Sequence, residues 1–262
     1  MDQEESSRMD DLTGKVALVT GASRGIGAAT AGRLFARGAE VYLAANDAAS
    51  TLEGVAASCQ ARRVGGRVNF GIFDFVTVGA AEAMVKAAHA AFGRIDILVN
   101  NAAIRIREPF GNFSHEEFDR MIRVNLAAPL FASQAVVPIM RDQGGGRIIH
   151  VASQMGEVAE HGSTLYGLTK AALIHLTKSM AYELAPEGIM VNAVSPGPTM
   201  TEYNRERTTR DPKLKEYKLS YIRAGRYGEP EEIAEVIEFL ATTRATYIQG
   251  HNLVIDGGYI IH

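Results

Sequence analysis

The chain has 262 residues, 47% of them hydrophobic, and a formal net charge of −3. That balance gives no electrostatic case for nucleic acid, and no apolar run approaches the ~18 residues of a membrane helix. The single cysteine, Cys59, excludes an intrachain disulfide, and the acidic start MDQEESSRMDD is the wrong chemistry for a secretory signal. A cytoplasmic protein with no nucleic-acid and no membrane partner is the expectation.

Residues 1–10 read as a mobile tail and residues 11–262 as one domain. Short β-branched or aliphatic runs stand at 16–20, 41–44, 68–73, 95–99, 148–152, 190–194 and 253–255. Stretches with helical periodicity lie between them, at 26–37, 80–92, 116–140, 164–185 and 230–240. Strands alternating with helices predict an α/β fold, a parallel sheet of about seven strands with helices on both faces. The segment at about 196–228 is long, charged and without a strand, as an active-site lid often is.

The first run passes straight into TGASRGIG at 20–27, and a helical pattern follows. Glycines there let the backbone turn tightly and approach a pyrophosphate, at which the new helix aims its free N–H groups. Strand, glycine triplet and helix in that order are the context that makes the motif specific.

Farther along, Ser153 is followed thirteen positions later by Tyr166 and four after that by Lys170. On a helix, residues four apart share a face, so Lys170 lies beside Tyr166. An ammonium so placed is expected to lower the phenol from its ordinary pKa of about 10. Such a phenol can give a proton to a developing alkoxide or take one from an alcohol. Ser153, just past an apolar run, is expected to hold the same oxygen from the other side. The seven histidines are scattered without a paired ligand spacing, so no metal is expected.

On these residues the chain resembles the short-chain dehydrogenase/reductase family. That family's TGxxxGIG stands here as TGASRGIG, its NNAG as NNAA at 100–103, and its helix asparagine as Asn125. Its serine, tyrosine and lysine fall on Ser153, Tyr166 and Lys170, and its Pro-Gly step on Pro196 and Gly197. The resemblance implies a Rossmann-type doubly wound sheet in a single domain and an NAD(P)-dependent oxidoreductase acting on a carbonyl or secondary alcohol. It implies Tyr166 as general acid/base, Lys170 on the nicotinamide ribose, Ser153 orienting the substrate oxygen and Asn125 holding a water in the proton relay. Cofactor contacts are implied at Gly21, Ser23, Arg24, Gly25, Ile26 and Gly27, at Asn46, and at Asp74 against the adenine. Asn101 and Ala102 fall on the adenosine side; Pro196, Gly197, Thr199 and Thr201 fall near the carboxamide and phosphates. Ala103 replaces the family's glycine, adding a methyl near the cofactor. A homotetramer or homodimer, paired through the helices of Asn125 and Tyr166, is also implied.

An acid at the end of strand two would favour NAD, whereas an arginine accommodates a 2′-phosphate. By alignment with the family that position is Ala45, followed by Asn46 and Asp47, while Arg24 lies in the glycine loop. NADP is therefore favoured, with NAD kept open by Asp47. Residues expected to face substrate are Ile104, Arg105, Gln154, Met155, Glu160, Pro198, Met200, Tyr203 and Asn204. Arg105 and Arg107 could meet a carboxylate or phosphate, and the polar loop at 154–164 suits a sugar, polyol or hydroxy acid better than a steroid. The runner-up is a 3-oxoacyl-[acyl-carrier-protein] reductase, although the positions aligned with that branch's carrier-docking basic residues are Phe131 and Tyr182. A catalytically silent nucleotide-binding sensor is a third reading, opposed by the intact Tyr166 and Lys170.

Overall fold

A computed structural model describes residues 12–261; the expected tail at 1–10 lies outside the described residues. Seven strands pair in parallel in the order β3-β2-β1-β4-β5-β6-β7. They are β1 Val16–Thr20, β2 Glu40–Ala45, β3 Val68–Ile72, β4 Ile97–Asn100, β5 Gly146–Val151, β6 Ile189–Pro196 and β7 Asn252–Ile255. All seven expected strands are present. The central ones are buried along their whole length, β1 as VALVT and β4 as ILVN, because helices cover both faces of the sheet.

On one face lie α1 Gly25–Ala36, α2 Ala49–Gln60 and α9 Pro230–Thr242, which bury Phe35, Leu52 and Ile237 against Val19, Leu43 and Val99. The other face packs Leu18, Leu98, Ile148 and Val191 under Met84 of α3 Ala80–Phe92, Val136 of α5 Ala128–Asp142 and Ala181 of α6 Thr164–Leu184. The chain leaves β1 towards β2 and β3, then returns to place β4 on the other side of β1. That reversal opens a crevice beyond the carboxyl ends of β1 and β4, where open α/β sheets bind their ligands.

Helix α2 was not foreseen from the sequence, and two further details depart from the expectation. The helix expected over 116–140 is broken into α4 His115–Ile122 and α5 by one π turn, Arg123–Ala127, with Asn125 fully buried inside it. Across the turn the helical run His115–Asp142 contains an 18-residue window of mean hydropathy 1.3 and so is, by length and composition, able to cross a membrane. Here Val124, Ala132, Val136 and Met140 pack it onto the sheet as a core helix. In addition, the segment at 196–228, for which a lid was expected, holds two helices, α7 Glu202–Arg210 and α8 Pro212–Tyr221.

Candidate active site

Thr20, the last residue of β1, fixes the glycine loop from its neighbour strand. Its hydroxyl accepts from the N–H groups of Asn101 and Ala102, both at 2.9 Å, and the Asn101 amide donates back to the carbonyls of Thr20 and Gly21. Asn101 thus shapes the loop. The loop must be glycine for two reasons. Gly21 and Gly25 have φ of +63° and +53°, a region other residues avoid. A Cβ on Gly27 would stand 2.2 Å from the Gly21 carbonyl oxygen. Helix α1 begins here with no side-chain cap and no acid in its first turn. Its free N–H groups face the crevice and suit the pyrophosphate of a dinucleotide.

The cleft beside that helix end has a volume of about 570 Å3 and is lined by Gly21, Ser23, Arg24, Gly25, Ile26, Asn46, Asp74, Asn101, Ala102 and Tyr166. Ala103 lines it too, and no non-glycine residue among those described has a positive φ. The extra methyl at the family's glycine position therefore carries no backbone strain. Thr201, also in the wall, caps α7, whereas Thr199 is buried with its hydroxyl on the Gly197 carbonyl. At the end of β2, Asp47 accepts from Arg24 Nη2 at 2.9 and 3.1 Å. A hydrogen bond from Ser23, then Arg24, holds its carboxyl below the ordinary carboxylate range. Sequence reading missed Arg120, which joins this wall from α4.

A second cavity of about 210 Å3 opens from the first, lined by Ser153, Tyr166, Lys170, Pro196, Gly197, Thr199 and Thr201. Of the expected substrate-facing residues it gathers Arg105, Gln154, Met155, Glu160, Pro198, Tyr203 and Asn204. Ile104 instead lines the larger cleft, and Met200 packs in an apolar cluster with Met155, Ile222, Tyr227 and Tyr259. Lys218, Arg207, Leu214 and Tyr227 also line the smaller cavity and were not anticipated. They belong to the segment at 196–228, where polar helices give no apolar period to read. The cap residues Thr201 and Asp211, with Pro212 at the first turn of α8, were the available signal.

Tyr166, Ser153 and Lys170 converge as their spacing predicts, but the electrostatics differ. Burial lowers Lys170 to about 7, and its Nζ donates to the Val151 carbonyl at 2.7 Å. Burial also raises the Tyr166 phenol above its ordinary value, and this outweighs the charges that oppose it. Foremost among those is Arg105, whose Cζ lies 4.9 Å from the Tyr166 ring centre, followed by a hydrogen bond with Ser153. The expected lowering by Lys170 is thus corrected: its ammonium is 5.7 Å from the ring centre and turned to Val151. Asn125 spends its side chain on Ile104, accepting from its N–H at 2.8 Å and donating to its carbonyl at 2.9 Å, and also donates to Thr169 at 3.2 Å. It ties the β4 loop to the π turn and to α6. Among the described residues no group of three or more His, Cys, Asp or Glu is placed to hold a metal.

The family model described as enoyl-(acyl carrier protein) reductase matches residues 21–260. The chain is 38% identical over 253 residues to the 3-oxoacyl-[acyl-carrier-protein] reductase FabG of Thermotoga maritima, covering 95% of this chain and 99% of that one. It is 36% identical over 250 residues to gluconate 5-dehydrogenase of Gluconobacter oxydans, covering 95% and 96%. The crystal structure of a 3-oxoacyl (acyl-carrier-protein) reductase from Agrobacterium tumefaciens with NADP bound superposes with a TM-score of 0.91 at 31% identity, covering 97% of each chain. The glycine loop, the Ser153–Tyr166–Lys170 set and these likenesses agree: the chain belongs to the short-chain dehydrogenase/reductase family, oxidoreductases that act on CH–OH groups with NAD(P).

Proposed function

We propose that this oxidoreductase interconverts a small polar alcohol and its ketone, a sugar, polyol or hydroxy acid, with NADP as the preferred cofactor. One observation carries the reading. The cavity beside Tyr166 is small, and next to apolar Met155, Leu214 and Tyr227 its wall carries Arg105, Gln154, Glu160, Asn204, Arg207 and Lys218, groups that suit a polar ligand. The likeness to gluconate 5-dehydrogenase points the same way.

The nicotinamide supplies or accepts the hydride when bound in the larger cleft. The protein positions the groups around the reacting oxygen. The substrate oxygen sits between the hydroxyls of Ser153 and Tyr166, and Tyr166 gives it a proton in reduction or removes one in oxidation. Lys170, anchored on Val151, would hold the nicotinamide ribose. Asn125 keeps the β4 loop, and with it Arg105, in register with α6. For the cofactor, Arg24 is largely exposed and its ion pair with Asp47 is worth ~1 kcal/mol or less, so it is free to turn to a 2′-phosphate.

Carrier-protein reduction is the second reading, supported by the likeness to FabG. Phe131 and Tyr182, the positions aligned with carrier-docking cations, are exposed aromatics here and offer no charge to an acidic carrier. They share the α4–α6 surface with exposed Phe118 and Leu168, which supports pairing of subunits through these helices.

The test is near-ultraviolet absorbance of the reduced nicotinamide with wild type and Tyr166→Phe. Both cofactors are offered with sugars, polyols, hydroxy acids and a β-ketoacyl thioester. Turnover of polar alcohols or their ketones, falling by ~10²–10⁴ in Tyr166→Phe, is expected. Turnover of the thioester alone would replace this reading with the carrier-protein one, and cofactor binding without any turnover would favour a nucleotide sensor.

A further inference from the structure

Three cations converge on one carboxylate at the substrate end of the cavity. Glu160 accepts from Arg105 Nη2 at 3.0 Å and from Arg107 Nη2 at 2.8 Å, and it pairs with Lys218 of α8. The Glu160 and Lys218 side chains are each 8% exposed, and those of Arg105 and Arg107 each 23%. Tying α8 to the loop below it needs one cation. The remaining two are a surplus that folding has enclosed, and enclosed charge is costly without a counter-ion.

Part of that surplus, Arg105 and Lys218 but not Arg107, faces the cavity. Arg105, Lys218 and Arg207 line it, and Glu160 is the one carboxylate among its lining residues. Two polar atoms of the lining residues are left without a protein partner, the buried Arg105 Nε and the Oε1 of Gln154, a residue only 2% exposed; Arg107 Nε, outside the lining, is unpartnered as well. The Arg105 guanidinium stacks 4.9 Å from the Tyr166 ring centre, so a group bound to it lies within a few bonds of the carbon whose oxygen meets Tyr166.

We propose that the substrate carries an oxyanion, a carboxylate or a phosphate, close to its reacting carbon, and that Arg105 and Lys218 bind it while Glu160 orients both. Gln154 accepts from a hydroxyl of the same molecule. This rests on the reading of a small polar alcohol or ketone and narrows it to an acidic one.

The test uses the full chain with cofactor bound and two redox-inert anions, oxalate and inorganic phosphate. Oxamide serves as the uncharged counterpart of oxalate, and binding is followed by isothermal titration. The expected result is at least tenfold tighter binding of one anion than of oxamide, with oxalate ahead marking a carboxylate and phosphate ahead marking a phosphate. Arg105→Gln is expected to lose at least tenfold in that affinity. Arg107→Gln, which removes the same charge from Glu160 but does not line the cavity, is expected to lose less than threefold. Lys218→Met, changed on α8, gives an independent loss if Arg105→Gln folds poorly. Equal binding of oxamide and both anions, or equal losses in the two arginine variants, would overturn the proposal. Anion binding that behaves as expected while no polar alcohol or ketone turns over upholds the subsite and overturns the functional reading instead.

Discussion

Replacing Glu160 by glutamine keeps the shape of the side chain and removes the one negative charge among Arg105, Arg107 and Lys218. The structure allows the cost to be reached by two routes. The Lys218 and Arg107 hydrogen bonds hold the Glu160 carboxyl at about 2, against an ordinary 4.5, although burial alone would raise it. At ~1.4 kcal/mol per pH unit, that difference corresponds to about 3 kcal/mol. Breaking a buried ion pair on one side costs ~3–5 kcal/mol, and the partial exposure of the two arginines puts this case at the lower end. A loss of ~3 kcal/mol in a chain of this length lowers Tm by roughly 6–12 °C.

Thermal unfolding of wild type and Glu160→Gln at pH 7 measures the loss. The double variant Glu160→Gln/Lys218→Met should recover part of it, because one unpaired cation is gone. The pH dependence follows from the sign of the shift. The carboxylate's contribution is fully present above pH 4.5 and is lost as the pH falls towards about 2, so the two stability curves should converge across that window. A change in Tm under 2 °C at pH 7, or a gap that does not close in acid, would refute the charge accounting.

At the cofactor end, Asp47→Ala removes the carboxylate that Arg24 now holds, and it should raise the ratio of kcat/KM for NADP over NAD by roughly tenfold; an unchanged ratio would mean that Asp47 does not sense the 2′ position. Gly27→Ala forces its new methyl against the Gly21 carbonyl, and fluorescence titration of the reduced cofactor should show at least tenfold weaker binding, unless the loop yields without cost. Lys170 is held near 7 by burial, so the unfolded chain keeps a proton that the folded protein sheds between pH 10.5 and 7. Wild type should therefore lose stability relative to Lys170→Met as the pH falls through that window, and denaturant titrations with a constant gap would contradict it.

The central strands were legible because each is a short apolar run bounded by polar or glycine-rich turns, and burial on both faces leaves no alternation to misread, whereas the edge strands β3 and β7 are only partly buried. Ser153, Tyr166 and Lys170 were legible because they sit on a strand end and a helix, whose fixed geometry turns spacing into position. Where geometry depends on tertiary charge, spacing was silent. The period of α6 places Lys170 beside Tyr166, yet nothing in it says that the ammonium turns to Val151. Lys218 lies 52 residues from Tyr166, on helix α8 with no apolar stripe, and only folding brings it to Glu160. Helix α2 was missed for a similar reason, since among its residues only Leu52 and Cys59 are buried.

The electrostatics of the phenol now divide between two cations of different character. Lys170, near 7, carries a charge that fades within the working pH range. Arg105 is the leading opposition to the rise that burial imposes on Tyr166. It also lines both clefts, as Tyr166 does. An oxyanion bound to Arg105 would offset the charge that makes the phenol easier to ionise, and so would favour the protonated form needed to reduce a ketone. Recognition of the substrate and the proton inventory of the site thus meet in one guanidinium. That coupling follows from the topology: the loop leaving β4, which must pass the nucleotide crevice, also carries Arg105 to the face of α6.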